Sequence, residues 1–245
     1  MSPTPPISAM LLAAGRGERM RPLTDTCPKP LLPVRGKPLM QWPLEALACG
    51  GFSRVVVNTA WLGEQISERF GPAFASLDIS YSHEGRDFGG ALETAGGIAR
   101  ALPLLDDIFW VLAGDVFAPD FVFSMDAVAR FAASDKLAHL WLVPNPAHNP
   151  RGDFGLSPEG LALNLPADHP GPRHTYSTIG LYRRALFDAP WCDIPSGNPQ
   201  GVKTPLAPLL RRAMDNRLIS AELYPGAWTD VGTSERLHQL NQNQT

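Results

Sequence analysis

The stretch Ile7-Ser8-Ala9-Met10-Leu11-Leu12-Ala13-Ala14-Gly15-Arg16-Gly17-Glu18-Arg19-Met20-Arg21-Pro22-Leu23-Thr24, followed by Pro28-Lys29-Pro30-Leu31, decides how the rest of the chain is read. Ile7 to Ala14 is a short apolar run of the buried-strand kind, and it empties directly into glycines. Glycine after a strand lets backbone N–H groups approach a phosphate, and an arginine adds a two-pronged fork for its oxygens. Lys29 stands between two prolines, which restrict the backbone and hold the ammonium where a second phosphate oxygen can meet it. Between Gly15 and Lys37 six basic residues face two acidic ones, a local +4 in a chain of net charge -3, which leaves -7 for the remainder. A basic island in an otherwise acidic chain points to a small anionic ligand.

Two familiar phosphate loops fit poorly. The dinucleotide fingerprint G-x-G-x-x-G breaks at Met20, and Pro22 stops a helix from opening on schedule. A P-loop would need Gly-Lys-Ser/Thr, which does not follow. An ordinary Gly/Pro turn carrying surface arginines stays as the plain alternative, with the charge asymmetry and the Pro-Lys-Pro against it.

Outward from the loop, apolar runs alternate with segments of helical period. Strands are predicted over Ile7 to Ala14, Arg54 to Ala60, Ile79 to Ser82 and Ile108 to Ala113, and helices over Pro38 to Cys49, Leu62 to Phe70, Leu92 to Leu102 and Ser124 to Ala133. This alternation implies an α/β fold, Rossmann-like, with a mostly parallel central sheet between helical layers. Later strands are predicted over Leu137 to Val143, Tyr176 to Tyr182 and Ile219 to Tyr224, with helices over Thr204 to Asn216 and Ser234 to Asn241. Turn-rich stretches at Pro144–Pro150, Pro166–Arg173 and Pro190–Gly201 read as loops over one domain spanning 1–245. The alternation is regular over about 7–135 and looser over about 136–245.

Composition limits the alternatives. The chain has 245 residues, 44% apolar and 18% charged, with 25 prolines and 22 glycines, which argues against disorder and a long solvated coiled coil. Its slightly acidic balance gives no reason to expect nucleic acid or an anionic membrane surface. Met1 to Met10 lacks the charged start of a signal peptide, and Ala9 to Ala14 is far too short to span a bilayer. Cys27, Cys49 and Cys192 share no metal spacing and suit a reducing compartment, so a cytoplasmic location is expected. The six histidines show no ligand spacing, and no Ser/His/Asp or Cys/His constellation is evident.

The pattern G-x-G-x-R-x-x-P-L-T with P-K-P-L resembles the signature of the sugar-1-phosphate nucleotidyltransferases, carried here by Gly15, Gly17, Arg19, Pro22, Leu23, Thr24, Pro28, Lys29, Pro30 and Leu31. Supporting blocks are Asn58 to Gly63, Glu84-Gly85, Leu92 to Ile98, Asn145-Pro146, Arg151 to Phe154 and Asp230 to Thr233. Within the family the chain is most similar to short bacterial members that work in cell-wall sugar recycling on UTP and N-acetylmuramate 1-phosphate.

The resemblance implies an Mg2+-dependent transfer, with Asp115 and Asp230 as metal ligands and Arg19, Lys29, Asp115 and Asp230 as the catalytic set. It implies nucleotide contacts from Leu12, Ala13, Ala14, Gly15, Gly17, Arg19, Lys29, Glu84, Thr94 and Gly96, the base being read at His83–Glu84 and the Thr94–Gly97 turn. Sugar-phosphate contacts fall to Asp153, Gly180 and Lys203, so the resemblance implies a nucleotide-binding part at about 7–135 and a sugar-binding part at about 136–245. Taken alone, Asp115 could equally cap a turn, and Lys203 could be a solvated surface lysine. GTP with mannose 1-phosphate, dTTP with glucose 1-phosphate, a non-catalytic nucleotide sensor and an NAD(P)-binding oxidoreductase are the competing readings.

Overall fold

A computed structural model describes residues 7–166 and 168–242. The residues Met1 to Pro6, on which part of the signal-peptide reading rests, lie outside the described residues.

Eight strands form the main sheet: β1 Ser8–Ala13, β2 Arg54–Thr59, β3 Ala73–Phe74, β4 Leu77–His83, β5 Ile108–Ala113, β6 Ala138–Val143, β7 Thr175–Arg183 and β8 Ile219–Leu223. Their order across the sheet is β8-β6-β7-β5-β1-β2-β4-β3. Six run the same way; β7, between β5 and β6, and the short edge strand β3 run against them. Met10 pairs with Val56 on one side and Val111 on the other, so β1 sits at the centre with both of its edges used. The expected mixed but mostly parallel sheet is therefore what the chain forms.

Among the described residues, seven α-helices of five residues or more accompany it: α1 Gln41–Cys49, α2 Gly63–Phe70, α3 Glu84–Phe88, α4 Glu93–Ala101, α5 Met125–Ala132, α6 Ala207–Asp215 and α7 Ser234–Gln242. The Val55-Val56-Val57 run shows why a doubly covered strand reads as continuous apolar sequence. Val55 and Val57 join Leu44 and Leu47 of α1, Ile66 of α2 and Phe131 of α5 on one face. Val56 joins Ile98 of α4 and Leu210 of α6 on the other. Burying each such side chain is worth about 1.5–3 kcal/mol, and this pairing of layers produces the three-layer sandwich. A smaller core of Met20, Leu32, Val34, Phe117, Val231 and Leu237 fastens the first loop to α7.

Two helix starts differ from expectation. The helix predicted from Pro38 begins at Gln41, because Lys37–Pro38 is spent in an antiparallel ribbon with Pro33–Val34. Pro43 then falls in the first turn, where a missing N–H costs nothing. The helix predicted from Thr204 begins at Ala207. Thr204 instead bridges to α4: its carbonyl accepts from Ala95 N at 2.9 Å and Gly96 N at 3.1 Å, and its N–H donates to Leu92 O at 3.1 Å.

Candidate functional site

A cavity of about 670 Å3 opens beyond the carboxyl ends of β1 and β5, the edge where open α/β sheets place their ligands. That volume suits a small-molecule ligand. Its wall includes Leu12, Ala13, Ala14, Gly15, Lys29, Glu84, Thr94, Asp115 and Asp153, so nine residues singled out in the sequence meet around one space.

The loop after β1 is held in shape by its own residues. Gly17 adopts φ +68, and a Cβ there would lie 3.0 Å from Thr24 Cγ2, so both backbone and space call for glycine. Thr24 Oγ1 donates to Gly17 O at 2.9 Å. Arg16 is pinned by Thr24 O at 2.8 Å and Asp25 Oδ1 at 2.9 Å, with its guanidinium 3.8 Å over the Trp61 ring. The Arg16 hydrogen bond holds the Asp25 carboxyl below its ordinary value. Arg16 therefore shapes the loop, while Gly15 has open space above its Cα.

Lys29 heads a single 3-10 turn, Lys29–Leu31, and is only 8% exposed. Its Nζ lies 2.5 Å from Asp115 Oδ2. Asp115 follows β5 through Gly114, whose N–H donates to Leu12 O at 2.8 Å; a Cβ on Gly114 would sit 2.9 Å from that oxygen. Neighbouring strands thus deliver the cation and the carboxylate to one point.

Asp230 arrives from far along the chain. Thr229–Asp230 pairs antiparallel with Val116–Phe117, and Val231 N donates to Asp115 O at 2.8 Å. The Asp230 carboxylate takes Arg236 as an ion-pair partner, with His148 Nε2 at 2.8 Å. It is not part of the cavity wall. Arg19 is exposed and rests beside the same segment, since a Cβ on Gly232 would lie 3.1 Å from its Nη2. Among the described residues no cluster of three or more His, Cys, Asp or Glu could hold a metal. Two carboxylates with oxygen donors alone fit Mg2+, which is commonly held by one or two carboxylates together with substrate phosphates and water.

On the wall beside β2, Ala13 N donates to Asn58 Oδ1 at 2.8 Å and Asn58 Nδ2 donates to Glu84 Oε1 at 2.7 Å. Leu92 N donates to Glu84 Oε2 at 2.8 Å. Burial pushes the Glu84 carboxyl up from its ordinary value, opposed by the hydrogen bonds from Leu92 and Asn58. Both of its oxygens serve the frame that carries Ala13. The turn expected at Thr94–Gly97 is the first turn of α4. A Cβ on Gly96 would meet Val202 O at 2.4 Å, and one on Gly97 would meet Glu84 Oε1 at 2.5 Å. Close packing requires both glycines.

Beside the start of β7, Asp153 Oδ2 accepts from Tyr176 N at 2.8 Å and Oδ1 from Asn149 Nδ2 at 3.2 Å. Gly180 lies inside β7 between Val111 and Leu140, away from the cavity wall, and a Cβ there would lie 3.0 Å from His139 O. Lys203 is exposed, four residues before α6, and is likewise absent from that wall.

Asn58, Glu93, Thr178 and Arg211, none of them expected as site residues, also line the cavity. Glu93 and Thr178 have φ of 62 and 63, a conformation costly for residues with a Cβ. Thr178 sits where the β7–β6 register shifts, a bulge of the kind found beside active sites. Neither residue type signals such a backbone. Asn58 had two signals, a polar residue next to the end of a valine-rich strand and its place in the Asn58 to Gly63 block. Among the described residues, no helix is long and apolar enough to cross a membrane.

The nucleotidyl transferase family matches residues 8–159. The N-acetylmuramate alpha-1-phosphate uridylyltransferase of Neisseria meningitidis serogroup B is 46% identical over 240 residues, covering 95% of this chain and 96% of its own. The protein of the same name from Caulobacter vibrioides is 29% identical over 243 residues, covering 87% and 98%. A candidate glucose-1-phosphate thymidylyltransferase of Bacillus anthracis, solved with a sucrose, superposes with a TM-score of 0.78 at 19% identity, covering 96% of this chain and 94% of that one. This last likeness carries the fold alone.

Proposed function

The chain belongs to the nucleotidyl transferase family, and from that membership we propose that it transfers the uridylyl group of UTP to N-acetylmuramate 1-phosphate. The products are UDP-N-acetylmuramate and pyrophosphate. A member of this family takes a nucleoside triphosphate and a sugar phosphate; the near full-length similarity to the Neisseria protein supports uridine and N-acetylmuramate as the particular pair. The observation that carries the reading in this molecule is Lys29 against Asp115 at the mouth of the strand-end cavity.

An oxygen of the sugar 1-phosphate attacks the α-phosphorus of UTP, a new P–O bond forms, and the bond to the β-phosphate oxygen breaks. Pyrophosphate takes the electron pair. No side chain needs to act as nucleophile, so the protein's task is positioning and charge neutralisation. Residues 12–15 and Gly17 present backbone to the triphosphate. Lys29 and Arg19 meet the negative charge that grows on it in the transition state, where a preorganised donor is worth most. Asp115 and Asp230 would hold Mg2+, whose charge would offset that of the α-phosphate and the incoming phosphate. Glu84 and Thr94 line the base side of the cavity, with Gly96 packed against Val202, and Asp153 offers acceptor oxygens to sugar hydroxyls; Gly180 and Lys203 lie off the cavity wall and are given no contact.

We assign about 7–135 to nucleotide binding and about 136–245 to sugar binding, within one domain. Consumption of UTP supports a cytoplasmic location, and the product supports a role in recycling cell-wall sugars. Arg19, Lys29, Asp115 and Asp230 are all retained, which favours an enzyme over a non-catalytic sensor. The test is pyrophosphate release with Mg2+ across several nucleoside triphosphates and sugar 1-phosphates. UTP with N-acetylmuramate 1-phosphate should give the highest kcat/KM. Turnover only with GTP and mannose 1-phosphate, or dTTP and glucose 1-phosphate, would overturn the substrate assignment, and no turnover with any pair would overturn the enzyme.

A further inference from the structure

Arg211 brings a second cation into the cavity, from α6 on the sugar side. It is half-buried. Its Nη1 donates to Asn164 Oδ1 at 2.7 Å, and Asn164 Nδ2 is itself held by Asp215 at 3.0 and 3.3 Å. The amide is thereby oriented with its oxygen toward the guanidinium. Cζ of Arg211 lies 5.2 Å from the centre of the Phe154 ring. Two contacts from different elements hold this side chain in one place.

What Arg211 lacks is a counter-charge. Asp115 is taken by Lys29, and Asp153 by Tyr176 N and Asn149. Among the described residues no carboxylate pairs with Arg211, and its only hydrogen bond is the one to Asn164. A partly desolvated guanidinium with unused donors is costly unless an anion completes it. Its planar fork matches a carboxylate, which can accept two parallel hydrogen bonds. Phe154, Leu206 and Leu210 line the same cavity and offer apolar surface to the carbon chain bearing such a group.

We propose that Arg211 binds a carboxylate carried on the sugar, and so selects acidic sugar 1-phosphates over neutral ones. The inference deepens the uridylyl-transfer reading and rests on it: N-acetylmuramate differs from N-acetylglucosamine by one ether-linked lactyl group, which ends in a carboxylate. The phosphates have their own partners in the first loop and Lys29. Arg211 is therefore a specificity residue, and its loss should be felt by one sugar and spared by the other.

The experiment compares kcat/KM for N-acetylmuramate 1-phosphate and N-acetylglucosamine 1-phosphate, at saturating UTP and Mg2+, in wild type, Arg211→Met and Arg211→Lys. Losing a charge-assisted pair should cost the methionine variant roughly 10- to 100-fold on the acidic sugar. The neutral sugar should change less than about threefold, and lysine, keeping the charge without the fork, should fall between. Calorimetric titration of the two sugar phosphates without UTP reads the same preference in the absence of turnover, so failure of the reaction and failure of the selection are separate results. Equal losses on both sugars, or an unchanged ratio in both variants, would overturn the proposal.

Discussion

Lys29 Nζ lies 2.5 Å from Asp115 Oδ2, a cation from the loop after β1 against a carboxylate from the loop after β5. The two partners are unequally covered: the Lys29 side chain is 10% exposed and that of Asp115 39%. The lysine is built into the wall, whereas the carboxylate remains open to the cavity. On the proposed reading the ammonium turns to entering phosphates and the carboxylate is left to a cation. In this account the ion pair is the resting arrangement of two groups that serve different partners in the reaction.

Removing either partner should therefore have different consequences. Lys29→Ala leaves a carboxylate that water can reach, so its melting temperature should stay close to wild type while turnover falls roughly 100-fold or more. Asp115→Ala leaves a nearly buried ammonium unpaired, at a cost of about 1–3 kcal/mol, and should melt lower than Lys29→Ala. Steady-state rates and thermal unfolding of both variants check this ordering. A Lys29→Ala protein with wild-type turnover would remove Lys29 from the chemistry.

The metal assignment predicts a titration. Asp115→Asn and Asp230→Asn should each raise the Mg2+ concentration needed for half-maximal activity by about tenfold or more, as losing one charged ligand implies. His148 and Arg236 hold the Asp230 carboxylate, so an unchanged Mg2+ requirement in Asp230→Asn would reduce that residue to an internal ion pair.

Glu84 predicts a pH effect on stability. Burial raises its folded pKa above the unfolded value, so the folded chain binds this proton more tightly. The group's contribution is then fully present below the unfolded value of about 4.3 and declines as the pH rises through the folded value. Glu84→Gln removes this titration, so the variant should lose less stability than wild type between about pH 4 and 7. Urea unfolding across that range is the measurement, and identical slopes would show that the Glu84 pKa is the same in the folded and unfolded chain.

Lys203 offers a contrast with the lining residues. It is exposed and outside the cavity wall, so Lys203→Ala should change the KM for sugar phosphate by less than about threefold. A tenfold rise would give it the sugar-phosphate role that its sequence position suggests.

The fold was readable from the N-terminal half because each parallel strand there is buried on both faces. Val55 to Val57 and Ile108 to Ala113 have to be apolar throughout, and both strands fall where the pattern puts them. Two-residue pairings such as Val116–Phe117 with Thr229–Asp230 leave no such trace, because two residues carry no period. Phosphate-side residues were legible since glycine, proline and lysine at fixed spacing reflect one local backbone. Arg211 was not, because it reaches the cavity through tertiary packing and Asn164; Asn58 stood in a quoted block, but its hold on Glu84 is a tertiary contact that no spacing shows. Gly96 and Gly97 looked like a ligand-binding turn, but their sequence equally satisfies a helix pressed against Val202 and Glu84.

On the proposed function, residues around Lys29 direct transfer of the α-phosphate of UTP to the sugar phosphate. Single-turnover reaction of UTP labelled at the α-phosphate with N-acetylmuramate 1-phosphate tests it most directly. The label should move into UDP-N-acetylmuramate with wild-type protein, and at least about 100-fold more slowly with Lys29→Ala. Label remaining in UTP with wild type, or passing to product at the same rate in both proteins, would contradict it.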